Sequence, residues 1–217
     1  MKQFDLIVFD WDGTLMDSAA AIVTALQAAA LDIGVTPPSD ERARHIIGLG
    51  LQEALQHAMP DLSAEHYRAL AERYRYHYLA RDHELVLFDG AGTLVDALAA
   101  EGYMLAVATG KTRKGLDRAF AHSGLGAVFH DSRCADECHS KPHPQMLLEL
   151  MDAFAVQPEK TLMIGDTTHD LLMARNAGTG SLAVSYGAHP REPLLASASE
   201  GCVDSVGELA NWFRLAA

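Results

Sequence analysis

The chain has 217 residues, of which 49% are hydrophobic and 21% charged. Such a chain suits one globular domain, or one domain with a modest insertion, and buries enough surface for a core without disulfide staples; disorder throughout is excluded. Lys and Arg number 17 against 29 Asp and Glu, a net charge of −12 with His neutral, so long-range repulsion from phosphate excludes general binding to nucleic acid or an anionic membrane, though not a local cationic pocket.

Residues 4–9 are a short run rich in Leu, Ile, Val and Phe that ends at Asp10, the pattern of a buried parallel strand. Gly13 and Thr14 turn the chain, and Ser18 is placed to cap a helix over 19–31. After punctuation at Gly34 to Pro38, residues 40–81 read as helix, with breaks at Gly48-Leu49-Gly50 and at Pro60 and no strand. Beyond Leu85 the pattern alternates. Helices are predicted over 93–101, 112–123, 143–154, 168–176 and 206–214, and strands over 103–108, 128–131, 161–164 and 181–184. Alternation of this kind predicts an α/β fold, a Rossmann-like parallel sheet with helices on both faces. The core is expected at 1–15 and 82–217, with a small all-helical cap inserted at 16–81. The segment Leu85 to Leu94 echoes Leu6 to Leu15, but Ala91 stands where the first copy has Asp12. It reads as the return from insertion to core and not as a duplication.

Asp10 and Asp12 flank Trp11 at the end of the first strand. Residues i and i+2 of an extended segment share a side, so both carboxylates project from the end of a parallel strand, where open α/β sheets place their sites. Their repulsion requires a cation or a proton; a solvated turn uses the same residue types. Gly165-Asp166-Thr167-Thr168-His169-Asp170 follows the strand at 161–164, with Asp166 at the strand end and Asp170 in the first helical turn. Four carboxylates from two segments converging above the sheet would suit Mg²⁺, while Asp170 alone also fits a favourable charge at a helix start. Thr109 and Gly110 end the strand at 103–108, where a hydroxyl and free N–H groups can hold a phosphate. Lys141 lies in the stiff loop Ser140-Lys141-Pro142-His143-Pro144 and can offset carboxylates and a phosphate.

Cys134, Cys138, His139 and His143 have the look of a zinc string, but Lys141 falls inside it and they read as ordinary loop residues. Three cysteines are no disulfide framework, no apolar run reaches the ~18 residues of a membrane span, and Met1 to Asp5 lack a signal peptide's apolar region, so a reduced, cytoplasmic protein is expected.

Asp10-Trp11-Asp12-Gly13-Thr14-Leu15, Thr109-Gly110-Lys111, Lys141-Pro142 and Gly165-Asp166-Thr167-Thr168-His169-Asp170 together resemble, in order and spacing, the motifs of the haloacid dehalogenase superfamily of phosphatases. The resemblance runs along nearly the whole chain, and the helical insertion is similar to the family's first cap class, found in phosphoglycolate phosphatase-like and β-phosphoglucomutase-like proteins. It implies Asp10 as a nucleophile that forms an aspartyl-phosphate. Asp12 then protonates the leaving oxygen and activates the hydrolytic water. The resemblance further implies that Thr109 and Gly110 hold a phosphoryl oxygen and that Lys141 orients and neutralises. Mg²⁺ would be bound by Asp10, Asp166 and the backbone carbonyl of Asp12, with Asp170 as a ligand or its neighbour. Dehalogenases need no acid for a halide leaving group, so Asp12 favours phosphoryl transfer. In similar proteins a loop such as 42–52 closes over the site, which makes Arg44, His45 and Gln52 candidates for the substrate's non-phosphate end. The expected activity is Mg²⁺-dependent hydrolysis of a small phosphorylated metabolite, phosphoglycolate or a similar sugar or organic phosphate, by a monomer or homodimer. Alternatives are a sugar phosphomutase of the β-phosphoglucomutase type and a non-enzymatic, phosphoryl-accepting receiver-like module.

Overall fold

The computed structural model describes residues 2–215. Among them, six strands form one parallel sheet: β1 (Leu6–Phe9), β2 (Met104–Thr109), β3 (Asp131–Cys134), β4 (Thr161–Gly165), β5 (Gly180–Val184) and β6 (Cys202–Val203), in the order β3-β2-β1-β4-β5-β6. Four helices separate β1 from β2: α1 (Ala19–Asp32), α2 (Asp40–His45), α3 (Leu51–Ala58) and α4 (Ala64–Arg81). Then come α5 (Ala91–Ala100), α6 (Arg113–Ser123), α7 (Gln145–Phe154), α8 (Thr168–Ala177), α9 (Arg191–Ser197) and α10 (Val206–Trp212).

The period of two along β1 sorts its side chains into two layers. Ile7 and Phe9 pack with Leu94 and Leu98 of α5, Leu116 of α6 and Leu209 of α10. Leu6 and Val8 pack with Met146 and Leu150 of α7 and Met173 of α8. Both faces of β1 are therefore covered, which is why the strand reads as an unbroken apolar run. The helices α1 to α4 share a separate core of Ile22, Val23, Leu26, Ile47, Leu55 and Leu70, which reaches the sheet-bearing part through Ala188. The alanines of α1 let α4 pack closely along it. Ser39 and Ser63 cap α2 and α4 by accepting the N–H groups of Arg42 and His66. The segments leaving and re-entering the sheet part run side by side, with Asp17 N–H to the Val86 carbonyl (3.0 Å) and Phe88 N–H to the Leu15 carbonyl (2.9 Å).

The strand order reverses between β1 and β4, and such a switch point opens a crevice at the carboxyl ends of the strands. Phe9 is in register with Ile164, and Asp10 N–H donates to the Ile164 carbonyl at 2.9 Å. Asp10 and Asp166 thus leave the sheet together.

The structure departs from the sequence reading in three places. The strand predicted over 128–131 lies at Asp131–Cys134 instead. Val128 and Phe129 are apolar because they pack into the core as a loop, Phe129 against Phe9, Trp11 and Phe120. The edge strand itself is polar and alternates in burial. Second, α9 and β6 carry no sequence expectation, since each is short and Pro193 interrupts the helical pattern. Third, Ser18 does not cap α1: its backbone is near-helical and its hydroxyl is used elsewhere. No helix among the described residues is long and apolar enough to cross a membrane.

Candidate active site

Asp10, Lys141, Asp166 and Asp170 are all buried at the β1–β4 crevice. The Lys141 ammonium lies 2.8 Å from Asp10 Oδ1 and 2.6 Å from Asp170 Oδ1. Trp11 N–H donates to Asp10 Oδ1 at 2.6 Å. Asp166 Oδ1 accepts from the Thr14 hydroxyl (2.8 Å) and Oδ2 from the Ala188 N–H (2.7 Å). Asp170 Oδ2 accepts from the Thr167 hydroxyl at 2.7 Å and the Thr167 N–H at 3.1 Å, so Asp170 serves the start of α8 and the crevice at once. Gly13 has φ of +79°, and a Cβ there would overlap the Asp166 carboxylate. The turn after Asp12 therefore needs glycine both for its backbone and for this approach.

The electrostatics ask for a further cation. Burial, aided by the charges of Asp170 and Asp166, pushes the Asp10 carboxyl well above the usual range against the pull of Lys141. Burial and then Asp170 raise Asp166 to about 7. Burial pulls the Lys141 ammonium down, but Asp10 and Asp170 together outweigh it and the net shift is upward. Three carboxylates around one ammonium leave two negative charges uncompensated when all are ionised. Asp10 Oδ2 is buried with no hydrogen-bond partner, and Asp10, Asp166 and Asp170 each offer an oxygen within 4.8 Å of the others. That donor set, all hard oxygen with net charge opposite to a divalent ion, fits Mg²⁺.

Asp12 faces elsewhere. Its Oδ1 accepts from the Ser18 hydroxyl (2.6 Å), and its Oδ2 pairs with Lys111 Nζ (2.9 Å). Lys111 Nζ also donates to the Tyr78 hydroxyl of α4 at 2.8 Å. So three of the four expected carboxylates converge, and the side chain of the fourth is held to one side by Ser18 and Lys111. Thr109 is buried at the end of β2, where its hydroxyl oxygen accepts the Lys111 N–H at 3.2 Å. The Gly48 and Leu49 carbonyls press against Gly110, where an added Cβ would come within 2.6 and 2.5 Å of them. Ser140 Oγ accepts the Gly50 N–H at 2.8 Å.

Arg44 and His45 are not brought to the carboxylates. They line a groove of about 1280 Å³ between α2, α3 and the segment 188–193, whose walls include none of Asp10, Asp12, Thr109, Lys141, Asp166 or Asp170. Gln52 is exposed. The His45 carbonyl, however, accepts from His169 Nε2 (2.7 Å) and His189 Nε2 (3.1 Å). His189 Nδ1 accepts the Thr168 N–H at 3.1 Å, which fixes its proton on Nε2. Burial holds both rings neutral, His189 at about 4. Cys134, Cys138, His139 and His143 form no metal-holding group among the described residues, and Cys138 Sγ lies against Glu149.

Three partners escape the sequence reading. Ser18 reads as a cap, Lys111 is only the third letter of a motif, and Tyr78 lies on a helix whose sequence does not show which face meets the crevice.

The chain matches the family described as haloacid dehalogenase-like hydrolase over residues 7–184. It is 36% identical over 211 residues to "Probable phosphatase IndB" of Dickeya dadantii, with 94% of this chain and 91% of that protein covered. It is 32% identical over 217 residues to a phosphoglycolate phosphatase of Vibrio parahaemolyticus, covering 96% and 95%. Among solved structures, a "predicted phosphoglycolate phosphatase" from Haemophilus somnus superposes with a TM-score of 0.86 at 25% identity, covering 99% and 100%. A β-phosphoglucomutase from Clostridium difficile, at 20% identity and a TM-score of 0.82 over 95% and 93%, shares the fold. The carboxylates at the crevice thus sit in a protein that belongs to the haloacid dehalogenase-like hydrolases and is a phosphatase of that family.

Proposed function

We propose that this phosphatase hydrolyses a small phosphomonoester, phosphoglycolate or a similar organic phosphate, with Mg²⁺ and through an aspartyl-phosphate on Asp10. The observation that carries the reading is the buried Asp10 carboxylate, one oxygen of which has no hydrogen-bond partner, beside Lys141, Asp166 and Asp170.

Asp10, Asp166 and Asp170, with the Asp12 backbone carbonyl, would hold Mg²⁺, which when bound offsets charge on the transferring phosphoryl group. Asp10 attacks phosphorus in line with the ester oxygen, so the Asp10 oxygen–phosphorus bond forms as the bond to the leaving oxygen breaks. Asp12, two residues on and held beside the carboxylates by Ser18 and Lys111, gives its proton to that oxygen. It then takes a proton from the water that attacks the phosphoryl group, which frees Asp10 and inorganic phosphate. Thr109 and the Gly110 N–H hold phosphoryl oxygens, and Lys141 keeps Asp10 directed while lowering the repulsion between two anions. Uncatalysed monoester hydrolysis is slow enough that accelerations up to ~10²¹ are called for.

Residues 16–81 act as a cap on a core of 1–15 and 82–217. His45 contributes its carbonyl to seating that cap, and Arg44 lines the groove beside the crevice. The three cysteines are free thiols, which suits a cytoplasmic setting.

The test is phosphate release from a panel of phosphomonoesters with Mg²⁺ and with EDTA, beside Asp10→Asn. One small ester should stand out by ~10²-fold in kcat/KM, about 2.7 kcal/mol of discrimination, and both EDTA and the substitution should abolish turnover. An Asp10→Asn protein as active as the parent would overturn the mechanism.

A further inference from the structure

Among the ion pairs of the described residues, those of Lys141 and Lys111 alone have both partners almost wholly enclosed. Lys141 serves the phosphoryl side of the crevice. Lys111 stands on the other side of Asp12, and nothing in the chemistry described so far uses it. Its ammonium touches Asp12 Oδ2 at 2.9 Å and the Tyr78 hydroxyl at 2.8 Å, and its side chain is 12% exposed.

We propose that Lys111 and Tyr78 read an acid group on the leaving alcohol, so that the enzyme selects phosphate esters of small hydroxy acids over esters of neutral alcohols. The inference rests on Asp12 being the acid that protonates the leaving oxygen. That oxygen must come within hydrogen-bond reach of the Asp12 carboxyl. A carboxylate attached one carbon beyond the ester oxygen lies about 3 Å from it, which brings it to the ammonium already lodged against Asp12.

The enclosed Lys111 ammonium meets one carboxylate, that of Asp12. A leaving group that carries its own carboxylate offers the ammonium a second charged acceptor, and a neutral alcohol does not. The Tyr78 hydroxyl accepts from Lys111 and still has its own proton to donate to the same carboxylate. Burial raises the Tyr78 phenol, so that proton is retained. Tyr78 belongs to α4, whereas Lys111 follows β2. The pair therefore exists only when the helical insert is seated, which ties recognition of the acid to closure.

The test compares 2-phosphoglycolate with 2-hydroxyethyl phosphate, esters of similar size with and without the acid. Turnover is measured with Mg²⁺ on the full chain, and binding of both compounds is measured by calorimetry on Asp10→Asn, which does not require turnover. The parent should favour the acid-bearing ester by tenfold or more in kcat/KM, and Asp10→Asn should bind it correspondingly tighter. Lys111→Met should remove most of that preference, mainly through KM, and Tyr78→Phe should reduce it three- to tenfold. Lys111→Arg should restore part of it. Equal binding of the two esters by Asp10→Asn overturns the inference, as does an equal fall on both esters in Lys111→Met whose melting temperature matches the parent. Should Lys111→Met not fold, the binding comparison on Asp10→Asn decides. Tighter binding of the acid-bearing ester without turnover of either would uphold the reading pair while overturning the phosphatase mechanism.

Discussion

The carboxylate cluster and the junction beside it each enclose one lysine, yet they are assembled from different parts of the chain. Lys141 sits between Asp10 and Asp170, both carried by the sheet-bearing part. Lys111 sits between Asp12 of that part and Tyr78 of the helical insert. The first draws no side chain from the insert. The second needs one residue from each part. The carboxylate cluster is thus built at the strand ends alone, whereas the Lys111 pair spans two parts of the chain.

The sharpest break of the first arrangement is Asp10→Asn, which should lower kcat by at least ~10⁴-fold, as for residues that act as a unit, with circular dichroism unchanged. Next is Lys141→Met. It strips the only ammonium from three carboxylates, so a loss of roughly 3–5 kcal/mol of stability is expected together with most of the activity. Denaturant unfolding should show Mg²⁺ recovering part of that stability, because the ion offsets the same charge.

The cluster should also set a pH dependence. Burial raises Asp166 from 3.8 to about 7 in the folded protein, so between those values the folded state binds the proton that the unfolded state has released. Stability of the metal-free protein should then fall as pH rises from about 4 through about 7, by on the order of 1 kcal/mol per unit. Mg²⁺ should flatten the slope, since it favours the ionised carboxylates. Unfolding midpoints at pH 5 and 7.5, each with Mg²⁺ and with EDTA, check the sign. A metal-free protein that grows more stable over this interval would contradict the charge accounting.

The two regions also differ in how much of them can be read from sequence. Asp10 and Asp166 follow apolar runs, Asp170 lies in the first turn of the next helix, and a strand end at the switch of a parallel sheet is a place that the pattern itself identifies. The α/β alternation is legible for the same reason: buried strands are unbroken apolar runs and helices are not. The insert offers no such frame. Its helices are plain enough, and the breaks at Gly48 to Gly50 and Pro60 fall between α2, α3 and α4. Which face of α4 meets the crevice depends on docking, and Tyr67, Tyr74, Tyr76 and Tyr78 look alike along it. Arg44 and His45 suffer from the same gap. They follow one another at the end of α2, but their side chains point into a groove beside the crevice while the His45 carbonyl does the holding. Backbone groups leave no mark in a sequence. Ser18 is ambiguous in another way, because a serine before a helix suits a cap and a hydrogen bond to Asp12 equally well.

The smallest effect belongs to the seating of the insert. In His189→Phe an aromatic ring can still lie over His45, as His189 does at 5.0 Å between centroids, but the hydrogen bonds of both ring nitrogens are gone. The Thr168 N–H loses its acceptor and the His45 carbonyl one of two donors, a cost of about 1–3 kcal/mol if neither finds water. His169 still donates to that carbonyl, so the insert should loosen and not detach. Chemistry at Asp10 should be spared and closure weakened: kcat should stay within about twofold while KM rises a few-fold, some 0.5–1 kcal/mol. Protease cutting within 34–39 or 59–63 should quicken and slow again when substrate is added. A fall in kcat with KM unchanged would instead place His189 with the carboxylates, in the region that does not depend on docking.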